Sequence, residues 1–406
     1  MKLAEFYGGI ELYREEKMVY AKLMTPHRVL STCRSSAGGM HDDLMYLYNH
    51  QSCEPAGCHM NARMCRLAME SPEDYRREVA DRHNLPFQKC ATLGTAANMN
   101  NAAICHERFC DLEVVTICTG GVEGNAGRAG DPASYYEPQD DSAKGQKDRG
   151  CNMRPGTINA MIFINRELTP GAMVAAVITA TEAKTAALQE LEVPSRYSDG
   201  LATGTGTDQI AVASELGGNV LSYAGKHSKL GELIGRTMHD AVLRALAMQN
   251  GLTPASRCSS LAYLERLEIR QQELCQGIGE FLSRDNANLF EQNFSNIVND
   301  PITVAAVAAL VHLRDKFLWG VLPESCIHEV LSLYGAQVSA AVSGKTGRSY
   351  AYMQILSALK VSLDKDAFLE FVFQAFALGF SEKWSDPKSE ICEGAGRRDE
   401  ETATMG

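Results

Sequence analysis

The sequence predicts an α/β fold, a layered arrangement of central sheet and flanking helices, followed by an all-helical extension. Three observations carry this. Up to about residue 250, short apolar and β-branched runs alternate with longer stretches of helical spacing. From residue 257 to 385 almost every block has helical spacing. Between the two, Gly251-Leu252-Thr253-Pro254 supplies a helix stop and a break. The predicted domains are therefore residues 1–252 and 253–389, with a polar, disordered tail over 390–406.

Taken in order, Met18–Leu23 and Arg28–Thr32 read as strands, the second running into a small-residue turn at Ser35–Met40. Asp43–His50 reads as helical. Ser71–His83 is a charged helix, with Ser71 as N-cap and Pro72 at its first position. Leu112–Thr119 is a strand, and Gly120–Asp131 after it is a glycine-rich loop with exposed backbone amides. It lacks the Gly-Lys-Ser/Thr ending of a phosphate loop. Residues 138–151 are polar and should form a mobile surface excursion.

The stretch from Gly156 to Gly235 holds the candidate chemistry. Gly156–Asn165 reads as a buried strand, and Thr169-Pro170 as the start of a long helix reaching about Leu191. That helix is apolar nearly all round, which predicts burial, yet it contains Glu182. A buried carboxylate must be paired, hydrogen-bonded or protonated. Next, the turn Gly204-Thr205-Gly206-Thr207-Asp208 leads into the strand Ile210–Ala213. It gathers the hydroxyls of Thr203, Thr205 and Thr207 with the carboxylate of Asp208 in a segment with little bulk. Lys226-His227-Ser228 then opens a helix over Lys229–Asn250. Free N–H groups and the helix dipole disfavour an imidazolium there, so His227 should be available as a neutral base.

Composition bounds the function. With 45% hydrophobic and 22% charged residues among 406, the chain matches an ordinary soluble globular protein. A net charge of −11 argues against nucleic acid or an anionic membrane as partner. The beginning lacks a signal peptide's apolar core, so a cytoplasmic location is expected. Thirteen cysteines without an export signal read as thiols rather than disulfides. Cys53, Cys58, His59 and Cys65 form the tightest group, and Cys105, His106 and Cys110 a second. Neither has the paired Cys-x-x-Cys knuckles of a zinc site, so no bound metal is expected.

The strings PGTINAMIFIN, LTPGAMVAAVITATEAKTAALQELEVPSRYS, GLATGTGTDQIAVAS and AGKHSKLGELIGR closely resemble the adenosylcobinamide amidohydrolase family, in order and spacing as well as in words. HRVLST, NHQ, TLGTAANMNNAAI and GGVEGNAGRAGDPASYYE look like its N-terminal half, so the resemblance covers roughly residues 20 to 250. It implies an enzyme of corrinoid salvage that hydrolyses the amide joining the aminopropanol arm of adenosylcobinamide to the corrin ring, giving adenosylcobyric acid. The substrate would carry its own cobalt and no further cofactor would be needed. Residues 156–214 also resemble part of the fold of β-peptidyl aminopeptidases and ornithine acetyltransferases, which implies two central sheets between helices, an αββα sandwich; a doubly wound sheet is the alternative. Those enzymes use a Ser or Thr freed by self-cleavage. The glycine-rich loop Gly124–Asp131 has no Gly-Thr or Gly-Ser pair, so self-cleavage is not expected.

An amide hydrolase needs a nucleophile, a donor for the leaving amine and stabilisation of the oxyanion. The expected assignment is His227 as acid or base, oriented by Glu182 or Asp208. Thr203, Thr205 and Thr207 would hold the amide, water or a Thr hydroxyl would attack, and Asn125 and Asn159 would bond the corrin's amide side chains. Lys226 and Ser228, flanking His227, complete the candidate contacts. Alternatives are a corrinoid-binding protein without hydrolysis, or an amidase for another amide. The helical extension would pack on the catalytic part or make subunit contacts in a homo-oligomer.

Overall fold

A computed structural model describes residues 1–52, 63–133 and 156–384. The chain divides into two compact units, Met1–Arg257 and Cys258–Gly406.

The first unit begins with a meander, β1 (Lys2–Phe6), β2 (Ile10–Glu15) and β3 (Met18–Leu23). The hairpin β4 (His27–Ser31) and β5 (Gly39–His41) follows, then β6 (Tyr46–Gln51). Helices α1 (Arg63–Glu70) and α2 (Pro72–Arg82) lead to β7 (Cys90–Thr95), β8 (Ala103–Phe109), β9 (Leu112–Thr119) and the short β10 (Ala126–Gly127). The last part is β11 (Asn159–Ile164), α3 (Pro170–Glu190), β12 (Gly204–Thr205), β13 (Gln209–Glu215) and α4 (Lys229–Asn250).

These strands make two facing sheets. The first has the order β1-β2-β3-β6-β7 and the second β5-β4-β13-β11-β9-β8, with β10 and β12 as a separate ribbon. Strand β11 explains the layering. Its side chains alternate, and both faces are buried. Met161 and Phe163 pack against Leu12, Val19, Leu47 and Leu93 of the first sheet. Ala160, Ile162 and Ile164 pack against Met173, Ala176, Leu233 and Met238 of α3 and α4. On the far side of the first sheet, Tyr48 and Cys90 meet Tyr75, Val79 and Ala80 of α2. The unit is thus a four-layered sandwich of helix, sheet, sheet and helix. The alternative of one doubly wound sheet is not realised: parallel pairs occur between β11 and β13 and between β6 and β7, and the other pairings within the two sheets are antiparallel.

Local signals placed the helix ends. Thr169 caps α3 by accepting from the Ala172 amide, Ser228 caps α4 at the Gly231 amide, and Gly251 ends α4 with a positive φ. Two expectations need correcting. Asp43–His50 is not helical, because Tyr46–Gln51 pairs with β3 on one side and β7 on the other. Helix α3 is not buried all round. Val174, Ile178 and Glu182 lie on an exposed face, because the layer below covers one side alone.

The second unit is helical: α5 (Ser260–Leu264), α6 (Gln271–Gly279), α7 (Arg284–Val298), α8 (Pro301–Leu318), α9 (Ile327–Ser343), α10 (Ser349–Leu356) and α11 (Lys365–Glu382). Its core is aromatic, with Phe290 edge-on to Phe294 and to Phe380. Gly379 lies inside α11. A Cβ there would collide with the Ser339 carbonyl, so the glycine serves a close helix crossing. Among the described residues no single helix is long and apolar enough to cross a membrane. The expected surface excursion at 138–151 and tail at 390–406 lie outside the described residues.

Candidate active site

Strand pairing gathers the candidate residues at one end of the second sheet. The parallel register sets Asn159 of β11 opposite Gln209 of β13, and the antiparallel register sets it opposite Thr119 of β9. The ribbon pairs Ala126 with Thr205, so the loop carrying Asn125 lies against the Thr/Gly turn.

One set of contacts surrounds a backbone carbonyl. The Gly156 oxygen accepts from Asn125 Nδ2 at 3.1 Å and lies 3.0 Å from the Thr207 hydroxyl and 2.8 Å from the Thr157 hydroxyl. The two hydroxyls also touch each other. Asn125 is oriented from behind, because Tyr197 donates its O–H to Asn125 Oδ1 at 2.7 Å. Asn125 and Thr157 are buried, whereas Tyr197 is 46% exposed.

Asp208 organises the turn. Its carboxylate accepts from the Ile158 amide at 2.9 Å, the Thr205 amide at 3.0 Å and the Thr205 hydroxyl at 2.6 Å, and it pairs with Lys184 of α3. With four donors, it is a fixed anchor tying the turn to β11 and α3. Thr203 is held by its backbone and side chain together: its hydroxyl accepts from the Ala129 amide at 2.8 Å and its carbonyl from the Thr185 hydroxyl at 3.0 Å.

Glu182 is elsewhere. It pairs with Lys226 on the exposed face of α3, with side-chain exposures of 48% and 63% against 16% and 12% for Asp208 and Lys184. His227 is exposed next to Lys226 and has no hydrogen bond among the described residues. Its loop is held down by Thr179, which donates to the Ala224 carbonyl at 2.9 Å. The carboxylates of Glu182 and Asp208 are thus engaged by lysines, and no described hydrogen bond joins either to His227. Ser228 is engaged as the cap of α4.

Asn159 lies between the sheets, fully buried. Its Nδ2 donates to Asn49 Oδ1 at 3.0 Å and to the Gly94 carbonyl at 2.9 Å, and Asn49 in turn donates to the Thr119 hydroxyl at 2.7 Å. Gln209 accepts from the Gly94 amide at 2.8 Å. This amide seam stitches β6 and β7 to β9, β11 and β13. The neighbour of Asn49, His50, faces the other way, 2.7 Å from the Tyr75 hydroxyl, and burial pushes its pKa down to about 3.

Of the first cysteine group, Cys53, Cys58 and His59 lie outside the described residues. In the second, Cys105 is buried, Cys110 is exposed, and His106 pairs with Glu113. Sequence reasoning missed Lys184, Thr157, Tyr197 and Asn49. Lys184 had a signal, as the one cation between Pro170 and Glu190. Thr157 had one too, as a Gly-Thr pair at the mouth of a buried strand.

The family model described as adenosylcobinamide amidohydrolase matches residues 3–254. An uncharacterized protein of Methanocaldococcus jannaschii is 39% identical over 183 residues, covering 44% of this chain and 71% of that protein.

Proposed function

This chain belongs to the adenosylcobinamide amidohydrolase family, and on that premise we propose that it hydrolyses the amide joining the aminopropanol arm of adenosylcobinamide to the corrin ring, releasing adenosylcobyric acid for corrinoid salvage in the cytoplasm. The observation that carries the reading is that the family match covers residues 3–254 of the first unit, including every residue of the hydroxyl and amide cluster. The cluster has the chemistry an amide needs. Asn125 Nδ2 and Thr207 offer fixed donors for a developing oxyanion, and Thr157 and Thr207 supply hydroxyls beside them. The exposed Tyr197 ring, anchored by its own O–H, offers an apolar face beside the cluster for a broad ring system. His227, exposed and unbonded among the described residues, is free to meet a substrate and is the proposed proton carrier for the leaving amine. Asp208 and Lys184 act as positioning residues. In this reading cobalt is part of the substrate, and the helical unit is accessory.

The experiment is direct. Purified protein incubated with adenosylcobinamide should yield adenosylcobyric acid, identified by chromatography. A shift of the corrin spectrum without product would replace the proposal with a binding protein. Neither binding nor product would point to another amide.

A further inference from the structure

The three polar groups around Gly156 contact a carbonyl of the protein's own chain. A buried peptide carbonyl ordinarily takes one or two partners from regular structure. Here an amide and two hydroxyls, from residues 125, 157 and 207, converge on one oxygen. That is the arrangement that stabilises an oxyanion. Glycine suits it, since a Cβ at 156 would lie 3.0 Å from Asn125 Cβ and 3.1 Å from the Gly121 carbonyl oxygen, a tight fit.

Counting protons sharpens the geometry. Two hydroxyl protons serve three short contacts, among Thr157, Thr207 and the Gly156 oxygen. If Thr207 donates to the carbonyl oxygen, Thr157 donates to Thr207. Thr157 Oγ then stays 2.8 Å from the carbonyl oxygen of the preceding residue, which Asn125 and Thr207 polarise. Attack of a hydroxyl on the carbonyl carbon before it closes a five-membered ring, so nucleophile and target lie on adjacent residues. One component is missing: no His, Asp or Glu among the described residues hydrogen-bonds to Thr157 or Thr207.

We propose that the Gly156–Thr157 peptide is a self-processing junction, and that its cleavage frees Thr157 as an N-terminal nucleophile. Thr157 Oγ bonds to the Gly156 carbonyl carbon, the C–N bond breaks, and the hydroxyl proton passes through Thr207 to the departing nitrogen. The resulting ester is hydrolysed by one water, leaving a Gly156 carboxylate and a free Thr157 amine and hydroxyl. That amine supplies the missing base beside its own hydroxyl. The loop Gly124–Asp131, which lacks a Gly-Thr pair, contributes Asn125 rather than the cleaved bond. The cleavage stands independently of any substrate; the role of Thr157 as nucleophile rests on the hydrolase reading.

The test is intact-mass analysis and N-terminal sequencing of the purified full-length protein. Two chains are expected, residues 1–156 and 157–406, the second beginning Thr157-Ile158-Asn159, with masses summing to the intact chain plus one water. Thr157→Ser should still cleave. Thr157→Ala, checked for folding by circular dichroism, should stay whole and lose hydrolysis. Asn125→Ala should slow cleavage by about 10²–10³-fold. A wild-type chain that stays whole after prolonged incubation overturns the proposal, as does cleavage of Thr157→Ala at the same bond. Cleavage without adenosylcobinamide hydrolysis supports the junction and overturns the substrate reading alone. Hydrolysis by an unsplit chain does the reverse.

Discussion

Two lysine–carboxylate pairs hang from α3, two residues apart. Lys184 meets Asp208 nearly out of solvent, and its partner carboxylate also holds two backbone amides and a hydroxyl. Glu182 meets Lys226 in the open. Their chemistry is the same and their spacing on the helix almost the same, yet one pins the Thr/Gly turn to β11 and the other pins a loop tip. The difference teaches that burial, not the presence of a charge in an apolar helix, separates the pair that anchors the turn from the pair left at the surface.

Removing Lys184 should have the largest effect on the fold. Lys184→Met leaves the Asp208 carboxylate without its cation and should cost about 3 kcal/mol in chemical denaturation. Turnover should fall with it, because the turn loses its anchor. Equal stability of variant and wild type would erase the contrast between the pairs.

Asn125→Ala tests the cluster that the buried pair supports. An oxyanion donor predicts a drop in turnover on adenosylcobinamide of about 10²–10³-fold with KM changed far less. A change in KM alone would make Asn125 a substrate contact instead.

His227→Ala addresses the exposed side. A proton carrier predicts about a hundredfold loss of turnover, while stability stays within about 0.5 kcal/mol, as expected for an exposed residue. Turnover within threefold of wild type would confine the chemistry to the cluster around Gly156.

Glu182→Gln should do least. An exposed pair contributes about 0–1 kcal/mol, so the melting curve and the turnover should both stay near wild type. A loss as large as that of Asn125→Ala would reverse the comparison and return Glu182 to the catalytic machinery.

Much of this was legible in the sequence, for local reasons. The caps Thr169, Ser228 and Gly251, the strands at Asn159–Ile164 and Gln209–Glu215, and the helices after them follow from interactions within a few residues. The Thr/Gly turn stood out for the same reason, as did the change to helices beyond Gly251. Tertiary structure alone decided the partners. Asn125 meets Thr207 across 82 positions, Asn159 meets Asn49 across 110, and Gly94 meets Gln209 across 115. A hydrogen bond depends on a separation of about 3 Å in space and carries no trace of separation along the chain. Likewise, which face of α3 is covered depends on the layer beneath it. The sequence therefore named Glu182, an apolar helix's carboxylate, while packing set Lys184 against Asp208 and gathered Asn125, Thr157 and Thr207 around the Gly156 carbonyl.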